Sequence, residues 1–327
     1  MALSGTLLFL GREAALVVLL LCILEITFSF ENAVINARVL SKLNHYWQTI
    51  FLSVGIIIAV FGMRILFPIL LVSASSSLGF GAVVNLAFND PQQYSQHLED
   101  AGPIIAAFGG SFLLMVALGY FMRENKRPYW WPLPEQWLRN VTKSLVAVSL
   151  IGLAIATGTI SLIGQANTSQ LLIASMLGVG TFSAIHGFVF ILERLRKRQI
   201  DSTMAQHGMT AFVSFIYLEI LDASFSLDGV IGAFAITSSV ILIAIGLGTG
   251  AIWVRSMTIS LVRHQTLARF AHLEQGAHYA ILVLALVLLF SISVHIPSVI
   301  TGLVGVIIVG LSLFSSERRE SKAEQLA

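Results

Sequence analysis

Long apolar runs divided by short polar connections set the pattern of this chain. Crossing about 30 Å of hydrocarbon takes some 20 apolar helical residues. Nine runs approach that length: 14 to 36, 49 to 72, 103 to 122, 144 to 164, 171 to 192, 209 to 237, 241 to 262, 279 to 294 and 299 to 314. They predict an all-α, polytopic membrane protein of about nine transmembrane helices. The last two runs are short and divided only at His295 to Pro297, so eight is the other count. The N-terminal run reads as a first span, not a cleaved signal, because Glu13 stands where a basic region belongs and Glu25 interrupts the apolar core. The stretch 73 to 102 is part apolar and Gly/Ser-rich, and predicts a re-entrant segment or a short helical lid.

Composition agrees with this class. The 327 residues are 56% hydrophobic and 11% charged, with a mean hydropathy of +0.86, where a soluble domain carries about 25% charged residues. No soluble domain stands apart, and 1–327 reads as one transmembrane domain. A net charge of +2 is too small to point to nucleic acid. The lone Cys22 excludes an internal disulfide and any multi-cysteine metal or redox motif, leaving a small packing residue.

The basic residues follow topology. Of the 19 Lys and Arg, all but Arg12 and Arg64 group with alternate connections or the tail: Arg38 and Lys42; Arg123, Lys126, Arg127, Arg139 and Lys143; Arg194, Arg196, Lys197 and Arg198; Arg263 and Arg269, with Arg255 still inside the preceding run; Arg318, Arg319 and Lys322. Positive-inside asymmetry then places the N-terminus outside and the C-terminus in the cytoplasm. The segment Arg123 to Asn140 mixes these charges with Tyr129, Trp130, Trp131 and Trp137 and reads as a headgroup-level anchor.

Against this background the acids inside the spans stand out. Leu24 to Ala37 (LEITFSFENAVINA) holds Glu25, Glu31, Asn32 and Asn36, and Leu218 to Ala235 (LEILDASFSLDGVIGAFA) holds Glu219, Asp222 and Asp228. A carboxylate at bilayer depth costs about 2.5 to 3.5 kcal/mol on insertion scales, so its default reading is functional. The two stretches match: Phe28-Ser29-Phe30-Glu31-Asn32 aligns with Phe225-Ser226-Leu227-Asp228-Gly229, with Glu25 and Asp222 each three residues before the Phe. Two further matches follow in order. Gly55 stands nine residues before Arg64 as Gly246 does before Arg255, and His97-Leu98-Glu99 corresponds to His272-Leu273-Glu274. This predicts an inverted repeat, the first copy about 14–122 and the second about 209–294, with connecting spans in 144–192 and an extra C-terminal span at 299–314. Such repeats place a substrate site near the midplane, at discontinuous helices.

On an unbroken helix Glu25, Ser29, Asn32 and Asn36 share a face while Glu31 lies about 120° away, so bringing Glu25 and Glu31 together requires a local break. Gly229 offers permissive backbone for one in the second copy. Glu25, Glu31, Asp222 and Asp228, with Asn32, Ser29, Ser226 and freed carbonyls, predict an all-oxygen site suited to Mg²⁺, Ca²⁺ or Mn²⁺. The plainer account is that the acids pair with Arg64 and Arg255 as buried ion pairs that fix packing, although two arginines cannot neutralise four acids. Arg64 and Arg255 are candidate gates or ion-pair partners. Glu219 is a fifth acid or an entry residue. Glu99 and Glu274 stand at expected mouths, where helix capping is the simpler role, and His186 reads as a satisfied interior histidine.

These motifs resemble those of the TerC family of integral membrane proteins. Phe28 to Asn32 is similar to its acidic-Asn signature, Asp222 to Gly229 to the second-half counterpart, and the likeness runs from about Glu13 to Leu313. The resemblance implies a bacterial plasma-membrane metal-ion transporter, with Mn²⁺ export as its activity and tellurite resistance as its older label. It implies Glu25, Glu31, Asn32, Asp222 and Asp228 as ligands. Glu31 stands where the family has Asp and Gly229 where it has Asn, which opens ion choice toward Ca²⁺. The expectation is thus a non-enzymatic exporter of Mn²⁺ or Ca²⁺, without a resident cofactor, in a lipid bilayer and open to homo-oligomer formation. Rival readings are an amino-acid or oxyanion exporter whose arginines bind substrate, and a membrane scaffold for metalloprotein assembly. An intramembrane aspartyl protease is disfavoured by the paired motifs and the lack of a GxGD sequence.

Overall fold

A computed structural model of the chain describes residues 2–76, 78–121, 130–141, 144–163, 168–196, 208–234, 236–237, 239–264, 266, 270, 272–294, 296 and 298–325. The expected inner charges Arg123, Lys126, Arg127, Lys143, Lys197, Arg198 and Arg269, together with Tyr129, His295 and Pro297, lie outside them, as does the side chain of Asp228. The described residues are 91% helical and hold no strand, with α1 Ala2–Phe28, α2 Phe30–Leu40, α3 His45–Ile57, a π-helical segment Ile58–Leu66, α4 Phe67–Ser75, α5 Phe80–Asn89, α6 Pro91–Phe121, α7 Pro132–Val141, α8 Leu145–Ile163, α9 Thr168–Arg196, α10 Gly208–Phe234, α11 Val240–Arg263, α12 Leu273–Ser291 and α13 Ser298–Gln325. Seven helical stretches among the described residues are long and apolar enough to cross a membrane. Backbone groups in hydrocarbon must bond within their own segment, which is why apolar runs of this length become helices. The apolar helix α8 and the start of α13 fall on the expected runs 144 to 164 and 299 to 314.

Helix α6 forms the centre. Phe112, Leu113, Leu114 and Met115 are wholly buried in a core shared with α8, α9 and α12. Its start departs from expectation: the helix begins at Pro91, well before residue 103, so His97 and Glu99 lie inside it and Glu99 is exposed. The cause is local. Asp90 Oδ1 accepts the N–H of Gln93 at 3.2 Å, and proline suits the first helical position because its missing N–H has no helical partner there. The stretch 73 to 102 holds the end of α4, the short helix α5 and the start of α6.

A second packing unit positions the polar residues. Helix α1 runs along α11, and α10 packs on the π segment and α3. Close approach of α1 depends on small residues of α11, because a methyl group built on Gly250 would lie 2.6 Å from Glu25 Cβ and 3.0 Å from the Cys22 carbonyl. The other face of α1 is apolar and exposed at Leu16, Leu20 and Ile23, as suits contact with lipid. Trp131, Leu133 and Trp137 are exposed around α7, whose Glu135 Oε1 accepts the N–H groups of Trp130 (3.0 Å) and Trp131 (3.1 Å) at the helix start.

A buried chain of ion pairs between the two acidic motifs

The first motif bends where its hydroxyls cluster. Thr27 Oγ1 donates to the Ile23 carbonyl at 2.8 Å, a side-chain competition that bends helices. Ser29 then leaves helical geometry at φ −104°, ψ 11°, between α1 and α2. Helical bonding nevertheless crosses the bend, since Ser29 N–H reaches the Glu25 carbonyl and Ala33 N–H the Ser29 carbonyl, each at 3.0 Å. The bend therefore frees neither of these carbonyls. Above it Glu25 is buried, and its Oε1 accepts Ser29 Oγ at 3.1 Å and Arg64 Nη2.

Arg64 belongs to the π segment, a geometry rare in proteins and frequent at functional sites. Its Nη1 donates to the Ala59 carbonyl at 2.6 Å and lies 3.9 Å from Asp222 Oδ2. Asp222 is the shared acceptor. Its Oδ2 takes Arg255 Nη2 at 3.2 Å, and its Oδ1 takes Asn32 Nδ2 at 2.8 Å. Arg255 also grips Glu219 with both nitrogens, at 3.1 and 3.0 Å, donates to the Phe51 carbonyl at 3.0 Å, and lies 4.3 Å over the Phe51 ring. Glu25, Arg64, Asp222, Arg255 and Glu219 thus form one buried chain in which three carboxylates face two guanidiniums. Desolvation of such charges is repaid only by geometry of this quality, and removing one member leaves another uncompensated.

Several expected ligands sit elsewhere. Glu31 is buried but makes no ion pair among the described residues. It lies against α13, where a methyl built on Gly305 would come 2.8 Å from its Oε1. The bend at Ser29 thus leaves Glu31 outside the ion-pair chain that holds Glu25. The second motif does not break at all, because α10 continues through Asp228 and Gly229 to Phe234. Gly229 instead permits close approach, since a methyl there would be 3.4 Å from Glu25 Oε2. Glu274 is in the first turn of α12 and pairs with Arg38 at 3.1 Å. Among the described residues, no three His, Cys, Asp or Glu side chains cluster as a metal-binding group. Four motif oxygens, Glu31 Oε2, Asn32 Oδ1, Asn36 Oδ1 and Ser226 Oγ, are buried without a hydrogen-bond partner there.

Sequence reasoning passed over two determinants. The Gly246-x₃-Gly250 spacing on α11, a signal legible in the sequence, admits α1, while the π segment left none. Membrane-length helices around an interior chain of ion pairs define a polytopic α-helical membrane protein. Within that class, the chain belongs to the family described as Protein of unknown function (DUF475), a membrane protein family whose model matches residues 30–323. No curated protein and no solved structure matches the chain.

Proposed function

We propose that the protein is a secondary transporter that exports a divalent cation, with Mn²⁺ the first candidate, by alternating access around the acids of its two motifs. One observation carries the reading. Carboxylates of both motifs meet in the bundle interior with one acid more than base, while oxygens of Glu31, Asn32, Asn36 and Ser226 lie buried without partners. Hard oxygen donors and uncompensated negative charge favour a cation such as Mn²⁺ or Ca²⁺ over a soft metal.

In this arrangement guanidiniums occupy Glu25, Asp222 and Glu219. Arg64 and Arg255 act as stand-ins for the cargo: the cation takes the carboxylates as an arginine leaves them, and the arginine returns on release. Alternating access follows from the repeat. In its support, Gly55 lies against the Arg255–Glu219 pair on α10 and α11, while its counterpart Gly246 lies against Leu21 of α1. Engagement of both guanidiniums by carboxylates speaks against their serving as receptors for an oxyanion or amino-acid substrate. The location that goes with this reading is a bacterial plasma membrane with the N-terminus outside, supported by the likeness of the motifs to the TerC family and by the positive-inside charge pattern.

The test is flux in proteoliposomes of the purified chain, read by Mn²⁺ quenching of a trapped fluorophore. Wild-type protein carries Mn²⁺, and Asp222→Asn combined with Glu31→Gln loses the flux. Equal flux in the two would overturn the reading.

A further inference from the structure

A cavity of about 170 Å³ lies between α2, α6, α9, α10 and α12, on the end of the bundle where positive charge predicts the cytoplasm. Its place relative to the two motifs gives it a role. Ile35, Arg38 and Val39 of α2 line it, as do Ser214 and Tyr217 of α10, and these are the helices that carry Asn32 and Asp222. At a helical rise of about 1.5 Å per residue, Ile35 stands roughly 4.5 Å along α2 from Asn32, and Tyr217 roughly 7.5 Å along α10 from Asp222. The cavity thus ends within two turns of the Asn32–Asp222 bond. At its other edge Lys42 is exposed and Arg38 partly exposed, so the space reaches solvent.

The opposite side of the same bond is closed. Leu21 of α1, Val83 of α5, Leu98 of α6, Val230 of α10, and Ile243 and Leu247 of α11 are at most 1% exposed and pack in one apolar cluster. Along α10, Asp222 stands between Tyr217 at the cavity and Val230 in this cluster. An ion leaving Asp222 toward Val230 meets packed hydrocarbon. On the cavity side, packing gives way to open space beyond the buried Ile35.

We infer that the cavity is the vestibule through which a hydrated divalent cation reaches the motifs, with Ile35 as the apolar gate at its inner end. This rests on the transport reading and deepens it: the conformation receives its cargo from the face that bears Arg38 and Lys42. A single water needs about 10–15 Å³ by this measure, so the cavity holds an ion with several waters around it. A hard cation that dehydrates reluctantly keeps those waters until motif oxygens replace them. Positive charge at the mouth does not bar entry, since Glu274 engages Arg38 at 3.1 Å and dissolved salt screens the exposed Lys42. His186 and His278 complete the wall, stacked on Phe182 and Tyr120.

The experiment reads cysteine access in the full chain carrying Cys22→Ala, with a charged, membrane-impermeant maleimide applied to membrane vesicles of either orientation. Ser41→Cys, at an exposed position just after α2, marks the face that bears Lys42. Ile35→Cys is expected to react from that face alone, and Val230→Cys from neither. Maleimide placed on Ile35→Cys before reconstitution abolishes Mn²⁺ flux in proteoliposomes, while the unlabelled variant keeps it. Val39→Cys, half-buried in the cavity wall, replaces Ile35→Cys if that variant fails to fold. Normal flux with the wall cysteine unreactive, or labelled without loss of flux, overturns the vestibule and leaves the transport reading standing. Reaction of Val230→Cys from the opposite face in a chain with normal flux does the same. Labelling of Ile35→Cys from the expected face in a chain that carries no Mn²⁺ overturns the transport reading, and this inference with it.

Discussion

Asn32 Nδ2 and Asp222 Oδ1, 190 residues apart in the chain, meet at 2.8 Å. This bond joins the first acidic motif to the second inside the bundle, on the same carboxylate that receives Arg255 and lies near Arg64. Asp222 is therefore the residue through which the two halves of the charge chain communicate.

Asp222→Asn takes the shared anion from two buried guanidiniums. Breaking a buried pair by removing one partner costs about 3–5 kcal/mol, and thermal unfolding in detergent should move downward accordingly. Asp222→Glu, which keeps the charge, recovers part of the loss. Unchanged unfolding in Asp222→Asn would show that the carboxylate does not hold the arginines.

Glycines at the network separate close approach from backbone freedom. A methyl on Gly55 would overlap Arg255 Nη1 and come 2.9 Å from Glu219 Oε1, whereas one on Gly229 would sit 3.4 Å from Glu25 Oε2, an ordinary contact. Gly55→Ala should lower both melting temperature and Mn²⁺ flux. Gly229→Ala should be tolerated or slightly stabilising, since alanine is favoured over glycine in a helix by about 1 kcal/mol. Loss of flux in Gly229→Ala with normal melting would mean that α10 must unwind there after all.

Glu31 offers a separation of function from stability. Without an ion pair among the described residues, its charge has little packing to lose, so Glu31→Gln should leave the melting temperature near the wild-type value while Mn²⁺ flux falls. A large drop in melting temperature with flux intact would assign Glu31 to the packing of α2 on α13.

The Arg38–Glu274 pair has side chains 43% and 18% exposed, so solvent screens it. Glu274→Gln should change stability by no more than about 1 kcal/mol, as measured by denaturation. A larger loss would place the pair inside a wider polar network.

Hydropathy located the helices because the hydrocarbon demand for internal backbone bonding is visible in composition alone. The acids of both motifs were legible as interior groups for the same reason, and Arg64 and Arg255 as their partners by sign. Which acid found which base was not legible, since Glu219 and Asp222 differ from Glu31 only in how neighbouring helices present them. The break expected at Gly229 failed because a helical glycine can serve proximity to Glu25 instead of flexibility. The start of α6 was misplaced because Asp90-Pro91, a strong initiation signal, lay within a stretch read by its Gly and Ser content. The π segment carries no compositional mark, as its apolar residues suit an α-helix equally well.

That π segment has a mechanical consequence. Its nine residues, Ile58–Leu66, bond with a wider spacing than α3 and α4 on either side. Slipping the ladder by one residue toward ordinary α geometry would rotate Arg64 by about 100° around the helix axis. The stretch would then work as a crank, converting a change of register in one helix into withdrawal of a guanidinium from Glu25, and unequal amide exchange across 58–66 with and without Mn²⁺ would reveal the stroke.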